Sequence, residues 1–256
     1  MDPTLGETNV DTRLLFPGAS SKYRELVFAG RTLKYPYWGL GDFTGTLIAT
    51  IVVGAFASVI MLLLRIDPKH GWPLVLTLVL PWIPMFLYPL VATKYKGNGL
   101  DVDLAVTDAR SHLRIGIAAG VLCLILSGAT AWVSVKMFGP ISSAAGDAAS
   151  KEHGLVRVVF AILAMSVGPL VEEIVFRGML LGSLLKREMA PWLAVLISAL
   201  AFSAFHFEPK RILILLVGGL VLAAVRLRTG STGASAIAHA VNNAPAAIAL
   251  ILGAFH

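Results

Sequence analysis

Glu172, Glu173 and Arg177 stand in an otherwise apolar stretch of the chain. A charge placed there costs roughly 2.5–3.5 kcal/mol on membrane-insertion scales, so each one needs a partner or a task. Two later apolar stretches are also interrupted, one by Phe202 and His206, the other by His239 and Asn243. Helical spacing sorts these groups. Glu173 and Arg177 lie four apart, share a face and can pair. Phe202 and His206 share a face, as do His239 and Asn243. Glu172 sits about 100° around the helix from Glu173 and is left outside the ion pair.

A carboxylate free of its neighbour can act as general base toward water. An imidazole can hold or relay the proton. A second imidazole and a carboxamide can donate hydrogen bonds to an oxyanion. Together these groups could hydrolyse an acyl bond with water. Each also has a plainer reading: a structural ion pair, an interfacial histidine, or interhelical hydrogen bonds worth about 0.6–2 kcal/mol in a membrane. Ionisable residues inside a membrane usually face a bundle interior or a water-filled cavity. Three such groups on three spans therefore argue for a shared site. Glu172, His206 and His239 could alternatively hold zinc with one open position. The His-Glu-x-x-His helix that sets ligands and base on one element is absent from the sequence.

These groups need elements to place them. Of the 256 residues, 57% are hydrophobic and 14% charged, against about 25% charged in soluble domains. The composition predicts an all-α, polytopic transmembrane helix bundle of about seven to eight helices. Apolar spans are expected at 44–64, 73–92, 113–138, 155–185, 191–207, 212–227 and 232–255, with an eighth if 155–185 is two pieces. Pro81, Pro84 and Pro89 predict a kink in the second span, and Gly168-Pro169 a bend just before the glutamates. Residues 1–43 read as a cytoplasmic N-terminal segment with an interfacial turn near Tyr35, Tyr37 and Trp38. Residues 44–256 read as the membrane domain. With the N-terminus inside, thirteen Lys and Arg fall on the inner side and seven on the outer, Arg177 excepted, which supports that orientation. The net charge of +6 is spread over loops and does not suggest nucleic acid. The single cysteine, Cys123, can form no internal disulfide and reads as a buried small hydrophobe. His206 falls at a span end just before Pro209. This predicts a turn buried inside the bundle, with Glu208, Lys210 and Arg211 lining a hydrated cavity.

The ordered trio Glu172-Glu173-x-x-x-Arg177, Phe202-x-x-x-His206 and His239-x-x-x-Asn243 resembles the motif set of the type II CAAX prenyl endopeptidases, within the wider CPBP (ABI) family of intramembrane proteases. Leu227-Arg228-Thr229-Gly230-Ser231 is similar to that family's lead-in to its last motif helix. The resemblance covers about 155–250. It implies a bundle of about eight helices with a cavity open to the cytoplasm. It assigns Glu172 to water activation, His206 to holding that water and passing its proton to the leaving amine, and His239 and Asn243 to the oxyanion. Glu173, Arg177 and Phe202 become supporting residues. It implies a glutamate-dependent protease without catalytic metal, zinc being the alternative. The expected location is the plasma membrane. The substrate would be a membrane-anchored, lipidated or unlipidated protein or peptide cut near its embedded end. Peptide maturation, bacteriocin immunity and control of membrane signalling proteins are roles the family implies. A non-catalytic membrane scaffold or immunity protein is the second reading. A proton-coupled transporter is the third, and would favour a repeat or paired broken helices that the sequence lacks.

Overall fold

The computed structural model describes residues 11–254. Residues 1–10 of the N-terminal segment and Phe255 of the last expected span lie outside that range. The described residues are helical, with no strand among them: α1 Ser21–Phe28, α2 Leu40–Leu63, α3 Gly71–Lys96, α4 Leu100–Leu104, α5 Leu113–Phe138, α6 Ala144–Ser150, α7 Gly154–Met165, α8 Val167–Glu173, a π-helix Ile174–Leu181, α9 Gly182–Lys186, α10 Pro191–Phe205, α11 Ile212–Thr229 and α12 Thr232–Leu252. Six helical runs are long and apolar enough to cross a membrane. The fifth of the expected spans, α10, has only 15 residues, or about 22 Å against a hydrocarbon core near 30 Å. An eighth does not form. Residues 154–186 make one continuous stack of 33 residues instead of two spans.

The elements follow local chemistry. The α2 start is a capping arrangement in which the Gly39 N–H donates to the Asp42 carboxylate at 3.0 Å. Helix α3 stays helical from Gly71 to Lys96 with three prolines inside, as spans can when neighbours satisfy the freed carbonyls. The break before the glutamates falls at Ser166, where φ is −118° and ψ −66°, two residues upstream of Gly168. The Pro169 ring crowds the carbonyl of residue 165, so the helix yields there and restarts. Gly168 itself admits a neighbour. A Cβ on it would sit 2.8 Å from a Trp82 ring carbon.

The π-helix is the axis of the bundle. All eight of its residues are buried, and α2, α3, α10, α11 and α12 pack around it. Its Phe176 carbonyl accepts from Ser198 Oγ at 2.9 Å. Helix α12 approaches α5 closely because α5 carries Gly116 and Gly120 at the crossing. Cβ atoms there would meet Ile237 and Val241 at 2.9 and 2.5 Å. Such small-residue contacts are how helices associate in lipid.

Loops gather at two ends, as alternating spans require. One end is covered by residues 11–39, which form a strap across the bundle. The strap is tied by Tyr37 N to Lys96 O at 2.7 Å, Ser21 N to Gly230 O at 3.0 Å, and Ser20 Oγ to Val102 O at 2.6 Å. Lys22 also pairs with Asp101 there. Trp38 is not interfacial as expected. It is buried, donates from Nε1 to Asp103 Oδ2 at 2.8 Å, and lies under the Lys186 ammonium. Burial pushes the Asp103 carboxyl up from its ordinary value, offset in part by hydrogen bonds from Asn98 and Trp38. The opposite end joins Glu152 to His70 and Gly71, and Glu208 to the Ala144 N–H. The expected buried turn at 207–211 is instead on the surface. Phe207 is 77% exposed, Pro209 and Lys210 are exposed, and Arg211 pairs with Glu208. Its polar groups satisfy one another and the Ala144 N–H, so no buried cavity is needed to host them.

Candidate active site

Glu173 is the last residue of α8 and is fully buried. Arg177, one turn on in the π-helix and equally buried, donates from Nη1 to Glu173 Oε1 at 2.8 Å. The pair suggested by the four-residue spacing forms. Its other guanidinium end donates to the Gly219 carbonyl at 3.2 Å, and the guanidinium carbon stands 4.2 Å from the Phe202 ring centre. Gly219 is within reach because α11 packs tightly on α10. A Cβ there would lie 3.1 Å from Ala199. Removing one partner of a buried pair typically costs about 3–5 kcal/mol, because the other charge is stranded.

Two groups from α12 complete the Glu173 shell. Ser235 Oγ lies 2.5 Å from Oε2 and 3.0 Å from the Leu222 carbonyl, and His239 Nδ1 lies 3.0 Å from Oε1. A carboxylate held by Arg177 only accepts, so Nδ1 carries the hydrogen and Nε2 points away from Glu173. That Nε2 is 3.9 Å from Glu172 Oε2, whose side chain is 21% exposed. One imidazole thus sits between two adjacent carboxylates. Glu173 is buried and fully partnered. Glu172 is accessible and held by no hydrogen bond among the described residues.

His206 caps the C-terminal end of α10, with Nδ1 2.8 Å from the Phe202 carbonyl. A carbonyl also only accepts. The hydrogen is again on Nδ1, and the Nε2 lone pair is available. The Phe202 ring joins the two imidazoles. Its centroid is 4.6 Å from that of His206 and 5.6 Å from that of His239, edge-on to both. Asn243 stands one turn beyond His239 on α12. Its Nδ2 donates to the Ala164 carbonyl at 3.1 Å and its Oδ1 accepts from Asn242 Nδ2 at 3.2 Å, leaving one amide hydrogen. Among the described residues no hydrogen bond joins Asn243 to the glutamates or histidines.

The structure therefore links Glu172, Glu173, Arg177, Phe202, His206 and His239 through direct contacts and sets Asn243 on the same face of α12. Ser235 escaped the sequence reading. Its signal was there: Ser235, His239 and Asn243 recur at four-residue steps on one face. The Gly219 and Ala164 carbonyls carry no side-chain signal. Glu172, His206 and His239 do not fit zinc as placed. Among the described residues no three His, Cys, Asp or Glu side chains converge as a metal set.

An ionisable cluster inside a bundle of six apolar membrane-length helices defines a polytopic membrane protein with an interior polar site. The match to known families is specific to that site. Residues 154–245 match the family model described as type II CAAX prenyl endopeptidase Rce1-like, and the matched segment holds every motif residue from Glu172 to Asn243. The resemblance stated from the sequence is borne out over this segment. No curated protein and no solved structure matches the chain. Six apolar helices together with a membrane-protease family make this an integral membrane protein, and the family supports a CAAX-type intramembrane protease in general terms.

Proposed function

We propose that the protein is an intramembrane endopeptidase that hydrolyses a peptide bond near the membrane-embedded or lipidated end of a substrate protein or peptide. The observation that carries this reading is the division of labour between the adjacent carboxylates. Glu173 is spent on Arg177, Ser235 and His239, while Glu172 keeps its oxygens free and partly exposed.

In the proposed reaction a water lies between the Glu172 carboxylate and His206 Nε2. Glu172 removes a proton as the water oxygen attacks the scissile carbonyl carbon. The oxyanion is met by His239 and by the remaining Asn243 amide hydrogen. Because the His239 Nδ1–H is committed to Glu173, its Nε2 can donate only when the ring carries both protons. An imidazolium there is balanced: Glu172 and Glu173 supply two negative charges, Arg177 and His239 two positive. Collapse of the tetrahedral intermediate breaks the C–N bond. The amine leaves with the proton that Glu172 took, passed through His206.

The reading places the N-terminus and strap in the cytoplasm, on the thirteen-to-seven distribution of basic residues, and assigns the protein to the plasma membrane. The test compares membrane-protein termini by mass spectrometry between cells carrying wild type and Glu172→Gln at equal expression. Termini present only with wild type support the protease and name its substrate. Identical termini, with a deletion phenotype that Glu172→Gln rescues, would replace it with the non-catalytic scaffold or immunity reading.

A further inference from the structure

Beside the start of α2, three exposed cations stand without a counter-charge, two on the strap and one near the end of α3. Arg31, Lys34 and Lys94 are exposed, and none forms an ion pair among the described residues. The nearby Lys96 is different, since its ammonium is taken by Asp42 at 2.6 Å. The free cations are interleaved with exposed aromatics: Tyr35, Tyr37 at 81% exposure, and Tyr95 at 73%. Tyr35 and Tyr37 touch edge-on, and the Lys94 ammonium stands over the Tyr95 ring.

Their depth is set by backbone bonds. Gly39 begins α2, Tyr37 N bonds the last residue of α3, and Lys34 is held through N and O by Asn98, just beyond α3. The patch therefore lies where two spans leave the apolar layer. Exposed tyrosines suit the headgroup level, and unpaired Lys and Arg at that level attract negative lipid surfaces.

We propose that Arg31, Lys34 and Lys94, with Tyr35, Tyr37 and Tyr95, form a binding surface for the headgroups of anionic phospholipids. Charge complementarity names the occupant, and the aromatic frame distinguishes it from a general cationic surface. The surface holds whether or not the protein is a protease.

The test uses the full-length protein in mild detergent, offered equal phosphatidylglycerol and phosphatidylcholine, with bound lipids counted by native mass spectrometry. Wild type is expected to retain phosphatidylglycerol in excess. Arg31→Gln, Lys34→Gln and Lys94→Gln together should lower that excess by about fivefold per cation. Lys69→Gln, Lys136→Gln and Lys151→Gln, at the opposite end, should leave it unchanged. Should that triple variant fail to fold, Lys34→Gln alone, which keeps its backbone bonds to Asn98, should lower the excess by about fivefold. Equal retention of the two lipids, or equal loss in both triple variants, overturns the proposal. Displacement of the lipid by millimolar inorganic phosphate would also overturn it, in favour of a site for small anions.

Discussion

Two buried carboxylates organise two regions of this molecule, and they differ in what stands beside them. Asp103, under the strap, accepts from Trp38 Nε1, the Asn98 N–H and Asn98 Nδ2. Glu173, in the bundle, accepts from Arg177, Ser235 and His239. Both are satisfied, as buried polar groups must be. The strap network ends there. The interior network does not, because His239 turns a second nitrogen toward Glu172, and Glu172 has no hydrogen bond of its own among the described residues. Satisfaction marks the parts that hold the fold. The carboxylate left over beside a satisfied one marks the candidate chemistry.

That contrast can be broken by substitution. The largest effect is expected at the group left over. Glu172→Gln should reduce substrate cleavage by about 10²–10⁴-fold, as expected for losing a general base, with an unchanged melting temperature. A melting loss like that of an Arg177 variant would mean Glu172 is structural. Arg177→Met should instead cost about 3–5 kcal/mol by stranding Glu173, read as lost folded yield or a lowered melting midpoint in detergent. Ser235→Ala comes next, with about 1–3 kcal/mol lost and a fall in turnover at unchanged substrate affinity, since it loosens the carboxylate that aims His239. Ser235→Thr, which keeps a hydroxyl, should recover part of both.

The smallest effect sharpens the other side of the comparison. The folded Asp103 holds its proton more tightly than the unfolded one, so the folded state binds more protons. Its contribution is therefore greatest at low pH and is lost as pH rises from the ordinary carboxylate value through the raised one. Asp103→Asn should flatten that part of the melting-temperature profile. The same profile in wild type and variant would remove Asp103 from the account.

Much of this is legible in the sequence. The Glu173–Arg177 pair follows from four-residue spacing, and the spans follow from apolar length. What escaped depended on contacts distant in sequence. Trp38 reads as an interfacial aromatic because nothing local announces Asp103, 65 residues later, as its acceptor. Ser235 reads as an ordinary helical serine until Glu173, 62 residues earlier, is seen beside it. The turn after His206 was misplaced because pairing between Glu208 and Arg211, and the bond from Ala144, let it stay at the surface. The helix break moved to Ser166 because a proline disturbs the turn before it, not its own position.

The bond from Ser21 to Gly230 spans 209 residues, and that distance is also a time. At about 5–20 residues per second of synthesis, roughly 10–40 s separate the emergence of its two ends. The strap cannot close on the start of α12 until the helix bearing Ser235, His239 and Asn243 has begun to leave the ribosome. That tie is thus among the last the strap makes, and within the same interval Glu173 waits about 3–13 s for His239, 66 residues later.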